Sequence, residues 1–253
     1  MNTSAGAVPP RSFNVLVYDE VGSTSDVAKQ LAQEGAADGT VVRAYRQNAG
    51  RGRLDRRWQG GEGNLLASIL LRPAAPPIRA AELGFVLAVA VARTAAEFLP
   101  RSSVRLKWPN DVLAPGKISG ILLESQSGAD GKLDWVVLGV GINVVSAPQG
   151  LAYATTALSE GGKPVEAGQV LGLLLGEFGR LEAVWRVRGF EPIRRAWLDY
   201  GHRPGEVLSI TRGGIRTESR FAGLDKDGAL LLKTESGLSR LTTGEVSFGG
   251  TGA

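Results

Sequence analysis

Residues 43–58 read RAYRQNAGRGRLDRRW and place six arginines and two glycines in sixteen positions, closing on Trp58. Glycine lets backbone N–H groups approach a ligand closely, and guanidinium forks hold carboxylate and phosphate oxygens bidentately. The composition suits a loop built to hold one or more small anionic ligands. Taken alone it suits equally well a solvated basic loop or an arginine-rich arm on nucleic acid. Four further segments could join such a loop in chemistry. KWPND (107–111) carries a lysine out of a strand into a turn that ends on a carboxylate, and GKISGILLE (116–124) puts Lys117 at the mouth of a strand. GVGIN (139–143) is a glycine-rich exit from an apolar strand, and GNLLAS (63–68) enters another. Each alone also has an ordinary reading as a solvated strand end or a turn.

The rest of the inventory narrows the chemistry. The 253 residues contain no cysteine, which excludes disulfides, zinc–thiolate sites and thiol nucleophiles. The single histidine, His202, lies in YGHRPG and reads as a turn residue with a hinge or surface role rather than a catalytic one. Lysine, arginine, carboxylates, hydroxyls and backbone amides remain, and they suit reactions governed by charge stabilisation, such as nucleotidyl transfer, better than a Ser-His-Asp hydrolase. A net charge of +4 favours anionic ligands without demanding nucleic acid. The start, MNTSAGAVPPRS, lacks an apolar signal region, and the apolar stretch 83–99 is broken by Arg93 and Glu97, as in a core helix. A cytoplasmic location is the expectation.

These segments need elements to position them. Residues 13–18 (FNVLVY) predict a strand; Ser23, Thr24 and Ser25 then open a helix whose stripe is Val27, Ala28, Leu31 and Ala32. Side-chain capping is the simple role for Ser23 and Thr24. Strands are predicted at 40–45, 65–71 and 104–108, with paired strands at 118–124 and 133–138 around a glycine turn. Helices are predicted at 81–98, after Pro164, and before Tyr200. Beyond Gly201 the texture changes to short strands at 207–210, 216–222, 230–233 and 239–242. Gly213-Gly214, Asp227-Gly228 and Ser236-Gly237 separate them as turns. The fold class is therefore α+β: a disordered lead-in over 1–11, an α+β domain over 12–200, and a small all-β barrel over 201–253.

The order and spacing of the glycine–arginine loop, KWPND, GKISGILLE and GVGIN resemble the biotin protein ligases, which implies a mixed-sheet catalytic domain flanked by helices over about residues 12–200 and a small SH3-like β-barrel over 201–253. With no helix-turn-helix ahead of the first strand, the chain resembles the monofunctional type. The resemblance implies ATP-dependent activation of biotin to biotinyl-5′-AMP, then transfer to one lysine of a biotin carboxyl carrier protein. Carried over by motif, it implies biotin contacts at Ser23, Thr24, Ser25, Gln47, Arg51, Gly52, Arg53, Lys117 and Gly120, the last through close backbone approach. It implies nucleotide contacts at Arg51, Arg53, Arg56, Trp58, Lys107 and Asn143. Arg53, Lys117 and Lys107 stand as the catalytic cations. Trp58 is read as an apolar lid over the ligand in preference to a core anchor. Asp111 lies in a suitable segment for a base in the second step but serves equally well to close its turn. Mg²⁺ is implied by ATP, with no ligands readable; a carrier protein and a homodimer are the expected partners, with no membrane and no DNA.

Two departures from the family pattern stand out. The family loop runs Gly-Arg-Gly-Arg-x-Gly-Arg, and here Leu54-Asp55 fills the x-Gly pair. Asp tolerates left-handed backbone better than most residues and can pair with Arg53 or Arg56. Loop closure on the adenylate is therefore expected to differ, at Arg56 and Trp58 more than at Arg51 and Arg53. Ser25 stands where the family often has Asn, which shortens one biotin hydrogen bond's reach or routes it through water. Three other readings stay open at this level: a lipoate ligase or octanoyl transferase, an arginine-rich nucleic-acid binder, and a biotin-binding scaffold that does not turn over.

Overall fold

The computed structural model describes residues 11–54, 56–234 and 237–248. Strand β1 (Asn14–Val21), helix α1 (Thr24–Gln33) and strand β2 (Thr40–Gln47) form a βαβ unit whose strands pair in parallel, Asn14 opposite Thr40. β3 (Leu65–Leu71) follows, then α2 (Ala80–Ala95), β4 (Arg105–Lys107), β5 (Asp111–Leu113), β6 (Lys117–Ser127) and β7 (Leu133–Ile142). These strands make one mixed seven-stranded sheet in the order β1-β2-β3-β7-β6-β5-β4. Helices α3 (Ala167–Arg188) and α4 (Glu191–Leu198) precede a second, antiparallel sheet. It is built from β8 (Val207–Arg212), β9 (Ile215–Leu224), β10 (Leu230–Thr234), β11 (Gly237–Leu241) and β12 (Glu245–Phe248) in the order β11-β10-β9-β8-β12.

Every residue of β3 is buried because both faces of the sheet are covered. On one face Ala28 and Ala32 of α1 meet Val42, Leu70, Trp135 and Val137. On the other, α2 lies between the sheet and α3 and is apolar around most of its circumference, as a helix buried on all sides must be. That larger core runs without a break from Leu83 and Phe85 through Trp197 into Phe221, Leu224 and Leu230 of the C-terminal sheet.

The expected strands and helices all appear, longer or shorter by a few residues at their ends. Two elements were not read from the sequence, β5 and β12. Each has no more than four residues and derives its pairing from a neighbour rather than from its own periodicity. Of the expected lead-in 1–11, residues 1–10 lie outside the described residues, as does Ser236 of the last turn. Arg11, by contrast, is held: it pairs with Glu182 at 2.7 Å and with Asp38.

His202 corrects an expectation. It is neither at the surface nor in an open hinge but buried at the seam between the two sheets, packed against Trp197, Phe221 and Phe248. Its Nε2 accepts the Trp108 backbone N–H at 3.3 Å, and the Trp108 indole N–H donates to the Gly228 carbonyl at 3.1 Å. Burial lowers the His202 pKa to about 4, against the opposing pull of Glu206.

Candidate active site

A single face of the sheet explains where the cavity lies. Along β7, Trp135 and Val137 sit under α1; the same face then reads Gly139, under Ser25 in the helix's first turn, and Gly141, which lies under Trp58. The neighbouring strands continue those rows: Gly139 pairs with Ser68 on β3 and Leu122 on β6, and Gly141 pairs with Leu66 and Gly120. Bulky residues support the helix, and glycines leave a floor where the helix stops. Above this floor is a cavity of about 780 Å³.

At the helix end stand Ser23, Thr24 and Ser25, all buried and all lining the cavity. The capping role expected of Ser23 is not taken up: Ser23 occupies the N-cap position in extended conformation but makes no side-chain cap bond. Gln47, at the end of β2, caps instead, its Oε1 accepting the Thr24 backbone N–H at 2.6 Å. The Gln47 amide nitrogen is thereby left as a donor. Ser68, buried within β3, bonds to both Thr24 Oγ1 (2.9 Å) and Ser25 Oγ (3.0 Å).

At the opposite end the cations gather. Asp111 ion-pairs with Lys107 at 2.9 Å and Lys117 at 2.7 Å. The β4–β5 hairpin sets Lys107 directly opposite Asp111, and the β5–β6 pairing brings in the start of β6. Burial alone would raise the Asp111 pKa, but the two ammonium groups outweigh it and hold the carboxyl below its ordinary value. It therefore stays ionised, engaged by both lysines, which speaks for the turn-closing role and against a proton acceptor. Arg53 reaches the same end, its Nη1 donating to Asn110 Oδ1 at 3.3 Å; burial lowers its pKa while Asp111 opposes that shift.

The arginine loop folds back on itself. Gly52 N–H donates to Arg56 O (2.6 Å), Trp58 N–H donates to Gly50 O (2.9 Å), and Arg51 and Arg57 form a short antiparallel bridge. Among the described residues of the turn Leu54 is left-handed, at φ 54°; Asp55, on which the expected difference in loop closure centred, lies outside the described residues. Arg51 turns toward α1 and β6, where Asp26 (2.5 Å) and Glu124 (3.3 Å) bind it. Arg56 pairs with Glu245 of β12, so the C-terminal sheet closes one side of the cavity together with Thr211, Arg216 and Phe248.

Trp58 lies on the glycine floor. A Cβ at Gly141 would overlap its indole ring, and one at Gly120 would come within 3.1 Å of it. What approaches the Gly120 backbone is thus the indole of this chain. Lid and anchor merge in Trp58: the ring is seated on the sheet and still forms cavity wall, with Lys117 Nζ 5.8 Å from its centroid.

Ser23, Thr24, Ser25, Gln47, Arg51, Gly52, Arg53, Arg56, Trp58, Lys107, Lys117 and Gly120 all line this one cavity. Asn143 does not. It is buried behind Lys117, where its Nδ2 donates to the Lys117 carbonyl at 3.1 Å and the Thr156 carbonyl at 3.3 Å. Asn143 thus holds the Lys117 backbone and lines a smaller pocket that shares Arg57, Trp58, Lys117 and Tyr153 with the cavity. Sequence reasoning placed Ser68, Gly139 and Gly141 in segments that could join the chemistry but gave none of the three a role of its own in the site. The signal for Ser68 was a lone hydroxyl within LLASILL.

Comparison with known proteins agrees with this geometry. Residues 18–143 match the biotin/lipoate A/B protein ligase family, and residues 209–249 match the biotin protein ligase C-terminal domain. The chain is 38% identical to a biotin–[acetyl-CoA-carboxylase] ligase of Paracoccus denitrificans, over 90% of this chain and 98% of that one. The chain belongs to the biotin protein ligase family. It is also 33% identical to the bifunctional ligase/repressor BirA of Bacillus spizizenii, over 92% of this chain and 74% of that protein. A biotin protein ligase of Aquifex aeolicus, solved in complex with biotin and ATP, superposes with a TM-score of 0.76 at 29% identity, covering 92% of this chain and 97% of that one. Both family matches thus fall on one chain, and residues of the seven-stranded sheet and of the C-terminal sheet line the same cavity.

Proposed function

We infer that the chain is a ligase that activates biotin with ATP to biotinyl-5′-AMP and transfers the biotinyl group to a specific lysine of a biotin carboxyl carrier protein. One observation carries the reading beyond family membership: a single cavity joins a neutral hydroxyl and amide end to a cationic end across a glycine floor. Biotin has the matching polarity, with a neutral ureido ring at one end and a carboxylate at the other.

In the first step a carboxylate oxygen bonds to the α-phosphorus of ATP, and the bond to the pyrophosphate oxygen breaks. Two anions must meet, so fixed cations lower the barrier by neutralising both and by stabilising charge on the phosphorus oxygens. We assign this work to Arg53, Lys107 and Lys117, with Asp111 holding the two lysines in place. Ser23, Thr24, Ser25 and Gln47 take the ureido ring, supplying donors and acceptors to a neutral polar group. Arg51, Gly52 and Arg56 close over the adenylate from the loop, and Trp58 forms the apolar wall beside it. In the second step the carrier lysine amine bonds to the acyl carbon, AMP leaves, and the amine gives up a proton. The mixed anhydride is already activated, so positioning carries this step.

Mg²⁺ enters this reading on the phosphates of ATP. Among the described residues no group of three or more His, Asp or Glu side chains converges as a metal cage, and Asp111 is engaged by both lysines, so no step here runs through the ion. Among the described residues no helix is long and apolar enough to cross a membrane. A cytoplasmic location and a homodimer complete the reading, and sedimentation with and without biotin and ATP tests the latter.

The deciding experiment incubates the protein with ATP, biotin and a carrier domain and weighs the carrier by mass spectrometry. A gain of one biotinyl group on the carrier lysine is expected. Lipoate-dependent pyrophosphate release without biotin dependence would overturn the reading in favour of a lipoate ligase.

A further inference from the structure

The hydroxyls of Thr24, Ser25 and Ser68 form a chain with a readable direction. Ser68 Oγ donates to Thr24 Oγ1 at 2.9 Å, and a hydroxyl has only one proton to give. The 3.0 Å contact between Ser68 Oγ and Ser25 Oγ admits either donor by its own geometry, and with the Ser68 proton given to Thr24 it is Ser25 that donates. Two consequences follow at the cavity wall, which Thr24 and Ser25 line and Ser68 does not. Ser25 has spent its proton on Ser68 and offers the cavity only lone pairs. Thr24 accepts from Ser68 and keeps its own proton free to donate. Ser68 itself is fully buried on β3, opposite Gly139, where any side chain would strike Ser25 Oγ at 2.5 Å. The chain is thus packed in one arrangement.

We propose that Ser68 is a positioning and specificity-determining residue: without touching substrate, it makes Thr24 the donor and Ser25 the acceptor, and so selects a head group whose carbonyl is flanked by N–H groups. A cyclic urea has that pattern, and an apolar disulfide ring has neither part of it. The inference rests on the biotin reading above. It deepens that reading by naming what orders the recognition hydroxyls.

ATP–pyrophosphate exchange is measured with biotin and with 2-iminobiotin, in which a protonated imino nitrogen, a donor, replaces the ureido oxygen. Wild type is expected to favour biotin. In Ser68→Ala the Thr24 hydroxyl is free to turn its lone pairs toward the cavity, and the biotin-to-iminobiotin ratio of kcat/KM falls by about tenfold, the scale of one hydrogen bond. The biotin KM rises while kcat stays within about threefold, since the reacting carboxylate lies at the other end. Ser68→Thr, which keeps the hydroxyl, restores the ratio. Ser25→Ala keeps the bond from Ser68 to Thr24, so its ratio stays at the wild-type value while its biotin KM rises. Equal losses for both ligands in Ser68→Ala, an unchanged ratio, or no rescue in a Ser68→Thr protein that melts like wild type would each overturn the proposal. Failure of the biotin reading looks different: wild type then shows no biotin-dependent exchange at all.

Discussion

Lys117 illustrates how little of a residue's role is local. Its ammonium pairs with Asp111, its neighbours include the rings of Trp58 and Tyr153, and its carbonyl is held by Asn143. Replacing Lys117 or Arg53 by Ala removes a charge that acts on the phosphoryl oxygens. Adenylate formation is expected to fall about 10²–10³-fold, by analogy with a lost oxyanion donor. Circular dichroism should show the fold intact, and normal carrier biotinylation by either variant would contradict the assignment. Asp111→Asn should slow the same step by at least about tenfold, because it leaves two half-buried ammonium groups to repel each other without their shared partner. These cations were legible in the sequence because their motifs are short and local. Ser68 was not, because a hydroxyl inside a buried apolar strand has meaning only once Thr24 and Ser25 are brought above it.

At the scale of the element, the glycines of β6 and β7 decide what can lie on the sheet. Gly141→Val would drive a side chain into the Trp58 ring. Overpacking of this kind costs roughly 1–3 kcal/mol. A denaturant melt should register that loss, and calorimetry should register weaker biotin binding as the indole leaves its seat. Gly172 in α3 makes the contrast, since an added Cβ there meets nothing within 4 Å. Gly172→Ala should stabilise the protein by about 0.5–1 kcal/mol, the helix-propensity difference, and leave exchange activity unchanged. A melt in which both variants shift the same way would show that packing over the floor is not what separates them. The sequence announced GVGIN as a strand exit but not the alternation that puts Gly139 under the first turn of α1 and Gly141 under Trp58 on the same face. That face depends on where α1 ends relative to the strands.

At the scale of the whole molecule, the seam between the sheets carries its own pH dependence. His202 has a folded pKa of about 4, below its ordinary 6.5. The unfolded chain therefore binds the proton more readily in that interval. The stabilisation is fully present above pH 6.5 and is lost as pH falls toward 4, by on the order of 3 kcal/mol at 1.36 kcal/mol per unit. Asp111 and Glu206, whose pKa values are depressed, keep their contributions above their ordinary 3.8 and 4.5 and lose them as pH falls below those values. Urea melts of wild type and His202→Gln between pH 7 and pH 4 check this: the wild-type curve should fall more steeply through the interval, and parallel curves would dismiss the idea. Sequence reasoning put His202 in a turn, with a hinge or surface role, because YGHRPG is rich in turn formers. Its burial comes from Trp108, Phe221 and Phe248 closing around it, residues drawn from three distant segments.

By itself the sequence determined the element order, the α+β class, the basic loop and the chemistry open to a chain without cysteine. Those properties follow from local periodicity, turn residues and side-chain inventory. Only the tertiary structure decided that the hydroxyls of α1, the lysines of β4 and β6 and the loop arginines share one cavity, while Asn143 lines a smaller pocket beside it. It also decided that Gln47 caps α1 and that β12 supplies a wall through Glu245. The physical reason is that cross-strand register and the end of a covering helix are set by long-range packing, which no window of the sequence contains.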